Sequence, residues 1–424
     1  NNICCIWGTS LSKTKLNVLY LAISQGANYL LPLLIFPYLV RVIGVSNFGD
    51  LSFSLITIQV LLMVVEYGFG YSGTREIALN NDKKYHSEFF CGVVLARFIL
   101  MLIAAIILII LCFFYVFNDV KYLLCVGFLS VIAGVFNPNW FLQGKEMMSV
   151  MAVLSLFSRG IAVVAVYLII KPATPMYISA LLLSMPYILY SFCGVAYLLI
   201  IKEIFLCRPP IKKIQVILKN GFHFFCSTLA TSAYTMLTPL VLGGVSGKFD
   251  VGIFNSANMI KQGLAGLASP LVQAFYPRIN ILQRENPYIA NLKSRMILKY
   301  LLVFYMALAM PFLLFANQLS LLIFGMKGEV IAGAMQLMTL LPIFIGFNTV
   351  VGLLVLVPNG MQKQYFKSIF LGTITCLSIV YPACKYYGAT GAIVSLIVAE
   401  IFVGMGMLKQ FIKVNKTVCR PHKL

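Results

Sequence analysis

Five charged residues fall inside long apolar runs: Glu66, Arg97, Arg159, Lys261 and Glu400. A charge at the centre of a bilayer costs about 2.5–3.5 kcal/mol on insertion scales, so each should face a cavity or a partner. Three of the five are basic. Arg presents paired N–H donors to a phosphate, and Lys acts as a mobile point charge. Arg97, Arg159 and Lys261 are therefore candidates to hold an anionic headgroup in transit. Glu66 and Glu400 are candidates to take up a proton or a sodium ion in a coupled cycle. Plainer roles stand beside these. Arg97 can pair with an acid such as Glu66, Glu400 can belong to a salt bridge, and Arg41, nearer a span end, can snorkel to the interface.

The elements that must carry these charges are membrane helices. The 424 residues are 61% hydrophobic and 10% charged, and the mean hydropathy is +0.94. Soluble domains carry about 25% charged residues, so composition excludes a soluble enzyme. Apolar runs able to cross about 30 Å of hydrocarbon recur along the chain. They lack the strict alternation of barrel strands, so the spans are helices that satisfy their own backbone. Twelve spans are expected, near 16–42, 50–72, 89–117, 121–142, 150–170, 175–201, 220–243, 251–275, 296–317, 332–357, 367–384 and 389–411. The expected fold is an all-α polytopic membrane protein, with 12 transmembrane helices in two six-helix lobes around a central cavity. The N-terminal lobe takes residues 1–210 and the C-terminal lobe 211–424.

The formal net charge is +20. In a soluble protein that would suggest nucleic acid; here lysine and arginine at an anionic leaflet explain it, and no nucleic-acid partner is expected. Of the 32 basic residues, 23 lie on one set of connections and the two termini, 6 on the other side and 3 inside spans. That split puts both termini in the cytoplasm. The first span begins near Leu16, behind Lys13 and Lys15, and is too long for a cleavable signal segment. The outer connections are short, the longest being a loop near Asn317 to Ile331.

Residues 44–50 (Gly-Val-Ser-Asn-Phe-Gly-Asp) echo residues 244–250 (Gly-Val-Ser-Gly-Lys-Phe-Asp) at an offset of 200, and Pro138-Asn139 echoes Pro358-Asn359. With six spans per half, the repeat would be parallel. Pro32, Pro37, Pro186, Pro239, Pro270, Pro311 and Pro342 interrupt spans and should bend them. Trp140 and the tyrosines near span ends read as interfacial anchors. The eleven cysteines and the three histidines (His86, His223, His422) form no metal-ligand spacing. No nucleotide-binding loop or hydrolase elbow occurs, so neither cofactor nor catalytic residue is expected.

The stretch Phe36-Pro37-Tyr38-Leu39-Val40-Arg41-Val42-Ile43-Gly44-Val45-Ser46-Asn47-Phe48-Gly49 resembles the first hairpin of Wzx-type O-antigen flippases. These form the polysaccharide branch of the multidrug/oligosaccharidyl-lipid/polysaccharide exporter superfamily. Glu66-Tyr67-Gly68-Phe69, with Gly73-Thr74-Arg75-Glu76-Ile77-Ala78, is similar to that family's second-helix end. Trp140-Phe141-Leu142-Gln143-Gly144-Lys145-Glu146 is similar to its fourth-helix end. The resemblance implies a bacterial inner-membrane transporter that moves an undecaprenyl-pyrophosphate-linked oligosaccharide from the cytoplasmic to the periplasmic leaflet. It implies membrane lipids, a polysaccharide polymerase and a chain-length regulator as partners. Two other classes stay open: a multidrug/cation antiporter of the related branch, which needs acids in its cavity, and an integral-membrane glycan polymerase or transferase, for which only Asp50, Asp119 and Asp250 offer outer carboxylates.

Overall fold

The chain does not turn at the end of its first span; it breaks within a continuous helix. In the computed structural model, residues 3–80, 82–205, 207, 209 and 211–418 are described. Arg208 and Arg420, counted above among the basic connections, lie outside them, as does His422. Among the described residues there is no strand. Helix α1 (Ile3–Glu66) has one non-helical residue, Gly44, at φ 88° and ψ 165°. Only a residue without a Cβ adopts that backbone cheaply. The last helix, α14 (Gln362–Val418), is broken likewise at Gly388. Between them lie α2 (Phe69–Leu79), α3 (Lys83–Cys112), α4 (Lys121–Val135), α5 (Asn139–Gly144), α6 (Met148–Ile169), α7 (Met176–Ile200), α8 (Ile211–Val245), α9 (Lys248–Glu285), α10 (Pro287–Leu314), α11 (Ala316–Phe324), α12 (Ala332–Met338) and α13 (Leu341–Val350). Eight segments among the described residues are long and apolar enough to cross a membrane on their own. Two of these, Pro32–Glu66 and Gln362–Val414, contain the breaks at Gly44 and Gly388. Together with α8 and α9, this is the polytopic helical fold that composition implies.

Contacts divide the chain into two units. Unit 1 takes residues up to Ile35 and Asp50–Ser232; unit 2 takes Phe36–Gly49 and Ala233–Leu424. The sequence places the boundary at 210/211. The structure moves it into the middle of α8, because a long helix can join one cluster at each end, and it assigns 36–49 to unit 2. Unit 1 is built on α4 and α6 against α7, with α2 against α5. Its core gathers Phe69, Phe89, Phe90, Trp140 and Phe141. Trp140 is thus no interfacial anchor. It is 2% exposed, lies in a stacked pair with Phe90 and fills the space left by Gly73, whose added Cβ would come within 2.6 Å of the indole. Thr74 Oγ1 also donates to the Trp140 carbonyl at 3.0 Å. The two motifs at 73–78 and 140–146 are therefore one packing unit.

Unit 2 is built on α9, α10, α13 and α14. Within it, a glycine pair allows α1 and α9 to cross at backbone distance. A Cβ on Gly49 would land on the Lys248 carbonyl oxygen, and one on Gly252 would land on that of Val45. Four residues separate Gly49 from Val45, and four separate Gly252 from Lys248. One residue before each acceptor stands a glycine at positive φ: Gly44, and Gly247 at φ 93°, ψ 169°. The two halves therefore correspond at an offset of 203, not 200. The four-residue identity in the sequence was out of register because the geometry selects two glycines five apart, not the intervening side chains.

The expected outer loop at Asn317 to Ile331 is helical: α11 followed by a 3₁₀ turn, Gly325–Ile331. Arg41 packs against its end rather than reaching for the interface. Its Nε donates to the Ile323 carbonyl at 2.9 Å, and Nη2 donates to that of Leu322. These are carbonyls that the end of α11 leaves open. Lys327 Nζ returns a bond to the Arg41 carbonyl at 3.1 Å. Pro342 opens α13 instead of bending a helix interior, whereas Pro186, Pro239 and Pro311 do lie inside helices.

Candidate functional site

In unit 1, five polar side chains from four helices come together in an otherwise apolar bundle. Glu66 ends α1, and its side chain is exposed. It is placed by the turn that follows, where Tyr67 (φ 43°) and Gly68 (φ 74°) both adopt left-handed backbone. Tyr67 is held there by its ring, stacked on Phe225 with centroids 4.9 Å apart. Arg159 lies midway along α6, half-buried, and donates to Ser155 Oγ one turn back. Tyr187 and Tyr190 of α7 are both within electrostatic reach of Arg159, and Tyr187 is also within reach of Glu66. Tyr190 donates its hydroxyl to Asn139 Oδ1 at 2.9 Å. Phenol hydroxyls, an amide, a guanidinium and a carboxylate together can bind sugar hydroxyls and an anion.

Arg97 reaches this group only through Glu66. It is 3% exposed and donates through Nη1 to the carbonyls of Asn137 at 2.7 Å and Gly134 at 3.2 Å. Its guanidinium lies 5.6 Å from the centre of the Phe69 ring. The two carbonyls are at the end of α4, where backbone acceptors are left open and a cation is favoured. Glu66 lies within electrostatic range of Arg97 without forming an ion pair with it. Arg97 thus joins α3 to the end of α4.

In unit 2, Lys261 of α9 is half-buried and within electrostatic reach of Glu400. Glu400 is 7% exposed. Asn348 of α13 donates from Nδ2 to Glu400 Oε2 at 2.7 Å and to its backbone carbonyl at 3.1 Å. A π-helical turn, Val351–Leu356, follows three residues later. Such turns are rare and often found at functional positions.

The sequence thus located the charges but missed Tyr187, Tyr190, Asn139 and Asn348. Asn348 could have been found, since it is an amide in a ten-residue apolar helix. The tyrosines carry no such signal, because Tyr is abundant in any membrane helix.

Away from these groups, Glu203 bridges Lys83 at 3.0 Å and Lys145 at 3.1 Å. Partial burial alone would raise its carboxyl. The hydrogen bonds and charges of the two lysines outweigh that and hold it below the ordinary value of 4.5.

Comparisons with known proteins agree with this architecture. Residues 15–283, more than half of the chain, match the family described as polysaccharide biosynthesis protein. A protein named "Putative O-antigen transporter" from Escherichia coli (strain K12) is 30% identical over 415 residues, covering 96% of this chain and 99% of that protein. One of the same name from Shigella dysenteriae is 26% identical, covering 93% and 99%. Among solved structures, the lipid II flippase MurJ in an inward closed conformation superposes with a TM-score of 0.69 at 15% identity, covering 95% of this chain and 89% of that one. An inward-facing multidrug resistance MATE family transporter gives 0.66 at 17% identity, covering 95% and 99%. The structural likenesses are of fold; the family match and the end-to-end relative are of descent, and by them this chain belongs to the polysaccharide biosynthesis protein family.

Proposed function

We propose that this multi-pass membrane protein is a flippase that carries an undecaprenyl-pyrophosphate-linked oligosaccharide, the repeat unit of O-antigen or a similar polysaccharide, across the bacterial inner membrane. It moves from the cytoplasmic to the periplasmic leaflet by alternating access, and both termini face the cytoplasm. The reading is supported by the family match and by relatives named as O-antigen transporters. One observation carries it: Arg159, half-buried at the middle of a membrane helix, stands beside Tyr187 and Tyr190, and Glu66 is within reach of Tyr187. A pyrophosphate and its sugars do not cross hydrocarbon freely, and this group offers both the cation and the hydroxyl partners they need.

In this scheme Arg159 and Lys261 bind the anionic headgroup. Arg97 supports the site by joining α3 to the end of α4. Glu66 and Glu400 are the groups through which a proton or a sodium ion would couple to the cycle. A polysaccharide polymerase and a chain-length regulator would receive the delivered unit. The test is complementation of a deletion strain with Arg159→Ala and Lys261→Ala. Loss of surface polysaccharide at normal protein level, with lipid-linked units trapped on the cytoplasmic face, is expected. Normal polysaccharide from both variants overturns the assignment.

A further inference from the structure

Two amides on α9 present enclosed polar atoms that nothing pairs. Asn255 Nδ2 and Asn258 Oδ1 are shut off from solvent and make no hydrogen bond. Asn255 is 7% exposed, and Asn258 follows it by one turn, as a neighbour on the helix surface. Asparagines elsewhere in the fold behave differently. Asn47 and Asn291 donate to the carbonyl four residues back, at 3.0 Å and 2.8 Å. Ser256, next to Asn255, does the same, donating to the Gly252 carbonyl at 2.8 Å. Asn255 Nδ2 makes no such bond to Val251. Buried amide atoms without partners are rare and costly, so these two call for a partner from outside the fold. Lys261, half-buried, stands one further turn along α9. From Asn255 to Lys261 the three side chains take up about 9 Å of the helix.

We infer that Asn255 and Asn258 bind a sugar of the lipid-linked saccharide, beside the diphosphate met by Lys261. The inference rests on the function given above. The two open atoms select which part of the cargo they meet. Asn255 offers a donor and Asn258 an acceptor. A phosphate oxygen accepts, so it answers Asn255 and not Asn258. A metal cation answers Asn258 and not Asn255, and a polyprenyl tail answers neither. A hydroxyl both donates and accepts, and a sugar ring carries several of them at fixed spacing. Lys261 one turn away supplies the charge that a diphosphate joined to that sugar needs. Both amide atoms are enclosed in this conformation, so the sugar meets them when this face of α9 is uncovered in the transport cycle.

The test measures binding of two lipids to the full chain in nanodiscs. One is the lipid-linked saccharide that accumulates in a strain lacking this protein; the other is undecaprenyl diphosphate without sugar. The unsubstituted protein should bind the first more tightly. Asn255→Leu and Asn258→Leu each remove an amide at similar volume. Each should weaken binding of the saccharide-bearing lipid about five- to tenfold and leave binding of the sugar-free lipid unchanged. The ratio of the two affinities is the decisive readout, because a merely structural role would weaken both lipids alike. Alanine at the same position, judged by the same ratio, replaces a leucine variant that does not fold. A ratio unchanged in either variant, or equal binding of the two lipids by the unsubstituted protein, overturns the assignment of the amides and leaves the flippase reading intact. Binding of neither lipid by the unsubstituted protein overturns both.

Discussion

Gly49 and Gly252 pack backbone to backbone: an added Cβ on Gly252 would lie 3.1 Å from the Gly49 nitrogen as well as on the Val45 carbonyl. No side chain at either position can move aside, so the obstacle to any larger residue is the main chain itself. Gly49→Ala and Gly252→Ala should each destabilise the protein by about 1–3 kcal/mol through overpacking. Gly244→Ala has nothing within 4 Å and should be neutral or stabilising by up to about 1 kcal/mol, as for a helical glycine. Melting temperatures in one detergent at fixed lipid content would decide. Equal effects at 244 and 252 would refute the 203-residue correspondence.

The two arginines of unit 1 should separate into structure and transport. Arg97→Gln removes charged donors from Asn137 and Gly134 and should cost about 2–3 kcal/mol of stability. Arg159→Gln should leave the melting temperature unchanged and abolish polysaccharide export. A stable, inactive Arg97→Gln protein would place Arg97 on the substrate instead.

Asn348 holds Glu400 through two bonds, one to its carboxylate and one to its backbone carbonyl. Asn348→Leu leaves a buried carboxylate oxygen without that donor and should destabilise by about 1–3 kcal/mol. Glu400→Gln keeps a similar shape but removes the charge. If Glu400 couples an ion, translocation in Glu400→Gln vesicles should lose its dependence on an imposed proton or sodium gradient. Retained dependence would remove Glu400 from the coupling scheme.

The Glu203 bridge sets a pH window. Its folded carboxyl titrates below the ordinary 4.5, so the stabilisation is fully present above that value and is lost as pH falls through the lowered one. The group is near the surface, which limits the effect to about 1 kcal/mol or less. The difference in melting temperature between the native protein and Glu203→Gln should be constant from neutral pH down to about 5 and then shrink as the carboxylate protonates. A difference that persists undiminished at pH 3 would contradict the assignment.

Much of this was legible in the sequence because the bilayer imposes a coarse code. Long apolar runs declare helices, and a charge such as Arg159 within one declares itself by its cost. What the code does not carry is the partner. Arg97 reads as a match for Glu66 until α4 is seen to end beneath it, and Trp140 reads as an interfacial ring until Gly73 is seen to receive it. Interhelical geometry also decides the meaning of glycine. Gly244 and Gly247 are three residues apart, and only the backbone angle distinguishes the one that corresponds to Gly44.

The π turn at Val351–Leu356 closes through bonds such as Val357 N–H to the Gly352 carbonyl, five residues back. It therefore contains one residue more than an α-helix would need. Each residue of an α-helix turns the chain by about 100°. Deleting any one residue of this apolar stretch would wind it into regular helix and rotate Asn348 relative to Asn359. Either the bond from Asn348 to Glu400 or the one from Gln283 to Asn359, 2.9 Å long, would then be lost. Here the length of the segment, more than its composition, aligns two polar contacts at different depths, so a one-residue gap in this stretch would mark a relative with a different site.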